Sequence, residues 1–196
     1  MAILILNDHA MPLARRIQSE IGDSIQGLAS RCSEADSTFD DVKTHIQSLF
    51  ASGEMSVAIM ASGAIIRLLA PVLENKHSEP PVIAVSEDGA SVVPLLGGHH
   101  GANDLARRIA AAIGGHASIT TAGDVRFGIA LDQPPEGWTL ANPENAKAVM
   151  AEILSSGEVR VQGRFVNAAT WLFESNLPFD DDGEAVISIS ETEREA

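Results

Sequence analysis

Two adjacent histidines, His99 and His100, stand in a short loop with glycine on both sides, Gly97-Gly98-His99-His100-Gly101. Imidazoles titrate near neutral pH, so the pair offers a general acid or base, or a nitrogen ligand for a metal. Glycines let backbone N–H groups approach a ligand closely. The alanine-rich stretch from about Asn103 to Ile113 reads as a helix, and its start adds unpaired donors and the positive end of a dipole. The loop therefore suits a polyanion with acid/base chemistry beside it. It also reads as a plain turn with solvated histidines. It is not the phosphate loop of NTPases, because no Gly-Lys-Ser/Thr follows. It is not the dinucleotide fingerprint either, because the glycine spacing differs. Adjacent histidines seldom reach one ion, and no Cys or His cluster completes a set, so no metal site of the chain's own is expected.

Further groups could join this chemistry. Ala61-Ser62-Gly63-Ala64 offers a second helix start to an anion, or is an ordinary strand–helix turn. Ser62 lacks the Gly-x-Ser-x-Gly setting of a nucleophile. Thr120-Thr121-Ala122-Gly123-Asp124 brings two hydroxyls and a carboxylate to a strand end, where Asp124 also suits a cap. Arg67, Arg107 and Arg108 could meet ligand carboxylates, or be solvated or salt-bridged. Asp180–Asp182 reads as a solvated turn, since calcium-loop spacing is missing. Trp138 and Trp171 read as packing residues.

The elements that must hold these groups follow from periodicity. Ala2–Leu6 is a short apolar strand, and Met11–Ile21 repeats apolar residues at helical spacing (Leu13, Ile17, Ile21). A weak strand is expected around Ile25–Ala29. Thr38 or Asp40 would cap a helix running to Phe50, with Val42, Ile46, Leu49 and Phe50 on one face and Gly53 stopping it. Ser56–Ala61 is a strand, and Ala64–Leu73 a helix with Pro71 near its end. Val82–Val85, Glu87-Asp88-Gly89 and Ser91–Leu96 form a hairpin. Ala117–Thr121 is a further strand.

The order predicts an α/β protein: a largely parallel open sheet with a hairpin insertion, flanked by helices, plus a small second α/β unit. The main domain is read as residues 1–130 and the second unit as 138–196. Between them, residues 131–137, rich in Pro and Gly, read as a linker. In the second unit Asn142-Pro143-Glu144 starts a helix to about Leu154 that Gly157 ends. Val159–Gln162 and Ala185–Ile189 are strands, and Ser190–Ala196 is an acidic tail. The turns Asn7–His9, Ser62-Gly63, Gly97–Gly101 and Ala122–Asp124 each follow a strand, and are expected to line one crevice.

Composition narrows the partners. The 196 residues carry a net charge of −14, which argues against nucleic acid and anionic membranes. Residues 1–128 hold 14 acids against 9 bases, and the remainder 13 against 4, so the bases gather where the glycine loops are. One cysteine, Cys32, allows no internal disulfide. Ala2–Leu6 is too short for a leader, and no apolar run reaches membrane-span length. A cytoplasmic protein is expected.

Several stretches together resemble the CbiG-type cobalamin-biosynthesis proteins, the cobalt-precorrin-5A hydrolase family. They are Met60-Ala61-Ser62-Gly63-Ala64-Ile65-Ile66-Arg67-Leu68-Leu69-Ala70-Pro71, Pro81–Val85, Leu95 through Ala110, and Ile119-Thr120-Thr121-Ala122-Gly123-Asp124-Val125. Similarity is best over residues 55–128, and the helix start Asn142-Pro143-Glu144-Asn145 is similar to the family's middle domain. The loop departs from the family's usual Ser-Gly-His-x-Gly-Gly-Ala-Asn: Gly97 replaces the serine, and one glycine is missing after Gly101.

The resemblance implies a role in corrin-ring construction, with a corrinoid substrate rich in carboxylates. Its δ-lactone is opened by water and acetaldehyde leaves. On that reading His99 is the base that activates water, and Ser62, Gly63, Gly97, Gly98, His100, Asn103, Thr120, Thr121 and Asp124 bind substrate. No cofactor is implied, since cobalt comes only as part of the substrate. Other cobalamin-pathway enzymes and a second copy of the chain are the implied partners. The same resemblance fits a non-catalytic, corrinoid-binding leading module of a fused precorrin-3B methyltransferase, although that enzyme's own glycine-rich motifs are not among these residues.

Overall fold

A computed structural model describes residues 1–75 and 78–191, with the backbone alone at His99. Packing divides the chain into two compact units, Met1–Ile119 and Thr120–Ala196. This division lies before the Pro- and Gly-rich segment expected as a linker. The reason is that Phe127, Ile129 and Leu131 pack into the core of the second unit.

Among the described residues, seven strands form the sheet of the first unit. They are β1 (Ala2–Ile5), β2 (Ser24–Leu28), β3 (Ser37–Phe39), β4 (Ser56–Ile59), β5 (Val82–Val85), β6 (Ser91–Leu96) and β7 (His116–Ala117), in the order β3-β2-β1-β4-β5-β6-β7. Neighbours from β3 to β5 are parallel, β6 is antiparallel to β5, and β7 is parallel to β6. The expected hairpin is therefore present. Pro94 sits where β6 lacks a second neighbour, since β7 pairs only with Ser91 and Val92.

Burial on both faces explains the unbroken apolar runs of β1, β4 and β5. Ile3 and Ile5 pack with Leu13 and Ile17 of α1 (Met11–Ile21) and with Leu105 and Ile109 of α4 (Ala102–Ile113). Ala2 and Leu4 point the other way, towards Ile46 and Leu49 of α2 (Val42–Ala51) and Ile65 and Leu69 of α3 (Ser62–Leu69). Each fully buried Ile or Leu contributes roughly 1.5–3 kcal/mol.

Local signals set the ends. Gly22 closes α1 with φ 77°. Asp41 caps α2, its Oδ1 accepting the Thr44 N–H at 2.8 Å; Thr38, an expected cap, lies in β3 instead. The strand expected at Ala117–Thr121 is the short β7, and Thr120 and Thr121 enter the second unit. Strands β2 and β3 run parallel without a helix between them. Residues 29–36 cross back over the sheet, and Cys32 buries itself against Gly27.

The second unit contains α5 (Ala122–Phe127), α6 (Pro143–Ser156) and α7 (Thr170–Phe173), with β8 (Arg160–Gly163) parallel to β9 (Val186–Ile189). Ile153, Val159 and Leu172 are fully buried at its centre. Gly157 ends α6 as expected, with φ 74°. Of the expected acidic tail, residues 192–196 lie outside the described residues. No helix among the described residues is long and apolar enough to cross a membrane.

Candidate functional site

Strand direction decides which loops meet. Chain reversal in the hairpin pairs Leu96, the last residue of β6, with Val82, the first of β5. The Gly97–Gly101 loop therefore lies at the edge where β4 and β5 begin. Ser62 and Gly63 follow β4 and lie at the edge where β1, β4 and β5 end. A four-residue strand, about 13 Å long, separates the two edges. The expectation that the Asn7–His9, Ser62-Gly63 and Gly97–Gly101 turns line one crevice is corrected by this antiparallel step. It also keeps Ser62 from forming a nucleophile–base pair with His100. Thr120, Thr121 and Asp124 belong to the second unit, at the start of α5.

At the first edge, the sheet order changes direction between β1 and β4, the usual crevice position in open α/β sheets. Asn7 Oδ1 accepts the His9 N–H at 2.9 Å and shapes the turn after β1. Asp8 accepts from Ser33 Oγ at 2.8 Å and from Ser33 N at 3.1 Å. The Ser33 hydroxyl, then its N–H, hold the Asp8 carboxyl below its ordinary range. Beside it, α3 starts at Ser62 with no side-chain cap. Arg67 donates to its own helix, at the Gly63 carbonyl, 2.7 Å away. The Asp8–Ser33 link spans 25 residues of sequence and gives no local signal.

At the second edge, Gly97 and Gly101 take φ 71° and 89° and bracket a 3₁₀ turn over Gly98–His100. The His100 N–H bonds the Gly97 carbonyl at 2.8 Å, and the Ala102 N–H reaches the same oxygen at 3.1 Å. His100 is exposed, and its Nδ1 lies 2.7 Å from the Glu79 carbonyl oxygen. Asn103 is 5% exposed and lies beneath Gly98. The His99 side chain lies outside the described residues. The loop thus brings Gly97, Gly98, His100 and Asn103 together. Arg107 is paired with Asp104 at 2.6 Å and Arg108 with Glu20 at 3.0 Å, so both are salt-bridged.

Among the described residues no group of three or more His, Cys, Asp or Glu side chains could hold a metal ion. In the Asp180–Asp182 turn, Asp180 accepts from the Asp182 N–H at 2.8 Å. The second unit has a cavity of about 260 Å³ lined by Trp138, Val149, Trp171 and the run from Val186 to Ser190. The two indoles tilt against each other at 6.1 Å. Both tryptophans read as packing residues in the sequence, which carries no signal for the cavity.

Comparison with known proteins gives this arrangement a family context. Residues 44–124 match the family described as Cobalamin synthesis G N-terminal. That span contains Ser62-Gly63, the Gly97–Gly101 loop and Thr120–Asp124, so the resemblance read from these residues is borne out there. The chain is 29% identical over 187 residues to a cobalt-precorrin-5A hydrolase of Priestia megaterium, covering 90% of this chain and 50% of that protein. It is 42% identical over 92 residues to the cobalt-precorrin-5A hydrolase of Salmonella typhimurium strain LT2, covering 46% of this chain and 24% of that protein. The chain thus spans half or less of the curated relatives it matches. A crystal structure described as a cobalamin biosynthesis protein G homolog from Sulfolobus solfataricus shares 18% identity and a TM-score of 0.47, covering 100% of this chain and 56% of that one.

Proposed function

We propose that this chain acts in corrin-ring construction, as the amino-terminal and middle parts of a cobalt-precorrin-5A hydrolase. Water opens the δ-lactone of the substrate, a two-carbon fragment leaves as acetaldehyde, and cobalt-precorrin-5B remains. The observation that carries this reading is the 29% identity to such a hydrolase over 90% of the chain, a stretch that must run through both units. Glycine loops at helix starts agree with a substrate edged by acetate and propionate groups. In this reading His99 activates water, and Gly97, Gly98, His100 and Asn103, which share one loop and the helix after it, bind substrate. The chain needs no cofactor of its own, because cobalt arrives within the substrate. It works among the other cobalamin-pathway enzymes in the cytoplasm, with a homodimer as its assembly.

The test is complementation. A bacterium that makes cobalamin anaerobically and lacks its cobalt-precorrin-5A hydrolase should regain cobalamin-dependent growth when given the gene for this chain. Failure to grow with abundant folded protein would contradict catalysis. Failure to grow combined with corrinoid binding would favour the non-catalytic module that leads a precorrin-3B methyltransferase fusion.

A further inference from the structure

His100, the second histidine of the loop, is anchored through its ring to a backbone carbonyl. A carbonyl oxygen can only accept, so the 2.7 Å contact between His100 Nδ1 and the Glu79 carbonyl places the proton on Nδ1. In the neutral ring the lone pair is then on Nε2. The acceptor is held in place because Glu79 precedes Pro80 and Pro81, which restrict the backbone and contribute no N–H. Gly97 packs against Pro81 from the other side of the same loop. A ring nitrogen fixed by a backbone carbonyl, with its other nitrogen free, is the usual second-shell arrangement of a metal-binding histidine.

A lone histidine cannot hold a metal ion by itself, and no cluster of ligands surrounds this one among the described residues. Cobalt inside a corrinoid differs, because the macrocycle already fills its equatorial positions and one axial ligand is enough. The residues flanking the ring in sequence include Gly97, Gly98 and Gly101, which put no side chains in the way of a flat macrocycle.

We propose that His100 Nε2 is the axial ligand to the cobalt of the bound corrinoid, an assignment that rests on the function proposed above. In the binding step the Nε2 lone pair forms a cobalt–nitrogen bond, and an axial water leaves with its own electron pair. No electron or proton is transferred to the metal. His100 is then the residue that centres the macrocycle, distinct from the neighbour that acts on water.

The probe is cobinamide, a cobalt corrinoid without a nucleotide base, reduced to cobalt(II) and mixed with the full chain. Electron paramagnetic resonance should show nitrogen splitting of the cobalt lines in the wild type and in His99→Ala. The pattern should change when the histidines carry nitrogen-15, a control that alters no residue. His100→Gln, whose amide can still donate to Glu79, should bind cobinamide more weakly and lose the splitting while keeping its circular dichroism. Splitting that persists in His100→Gln, or oxygen ligation in the wild type, overturns the assignment and leaves the proposed function standing. Absence of cobinamide binding in the wild type also overturns the assignment, while the proposed function, which concerns a carboxylate-edged lactone, is decided by complementation.

Discussion

Gly97 packs so closely on Pro81 that a Cβ built there would lie 2.6 Å from the proline Cα, at a φ of 71° that L side chains rarely adopt. Clash and strain act together at this position. Gly97→Ala is expected to cost roughly 1–3 kcal/mol of stability, read from denaturant midpoints. Serine, the residue of the resembling family loop, brings the same Cβ and should be as damaging here. An unchanged midpoint for either variant would mean that the loop is not clamped to Pro81.

Cys32 lies under the β2–β3 crossover, where a Cβ on Gly27 would approach its Cβ to 2.5 Å. Burial pushes the Cys32 thiol above its ordinary value, and the thiolate is the reactive form. The native chain should therefore react with an aromatic disulfide reagent only at the rate of unfolding. Gly27→Ala should both destabilise the fold by roughly 1–3 kcal/mol and speed that reaction. Rapid labelling of the untreated native chain would contradict the packing.

Asp36 accepts from the Ile25 N–H at 2.8 Å, Arg15 at 2.7 Å and Gln18 at 2.7 Å. The Ile25 N–H first, then Arg15 and Gln18, hold its carboxyl down from 3.8 to about 2. A depressed carboxyl stabilises the fold fully above its unfolded value, and that contribution disappears as pH falls through the folded one. Thermal melts should therefore show stability lost between about pH 4 and pH 2, with a shallower loss in Asp36→Asn. Parallel acid limbs for the two proteins would remove Asp36 from the account.

In the second unit, the Trp171 indole N–H is buried and meets no partner among the described residues. An unmet buried donor is a cost that phenylalanine would not carry. Trp171→Phe is expected to leave stability unchanged or slightly raised. By contrast Leu172→Ala, at a fully buried position, should lose roughly 2–5 kcal/mol. Chemical denaturation compares them directly, and a large loss in Trp171→Phe would mean that its ring is the main filler of the cavity wall.

Much of this structure is legible in the sequence, and the exceptions have physical causes. The bounds of α1 follow from helical spacing and a closing glycine. The hairpin follows from two apolar runs around Asp88-Gly89. Strand β3, three residues with two polar ones, carries no periodic signal and forms only because residues 29–36 deliver it to β2. The placement of the glycine loop at the far edge was encoded in the hairpin itself, which reverses the chain before Gly97. The Asp8–Ser33 link and the Glu79–His100 bond depend on tertiary contact and leave no mark in local spacing. Of the candidate binding residues, Gly97, Gly98, His100 and Asn103 share one loop and the helix that follows it, while Ser62 and Gly63 lie across the sheet.

The most direct test of the account is to incubate the gene product with cobalt-precorrin-5A and follow acetaldehyde with alcohol dehydrogenase and NADH. Acetaldehyde release in step with loss of the lactone is expected, and little or none in His99→Ala. Stable corrinoid binding with no acetaldehyde from the wild type would contradict catalysis by this chain.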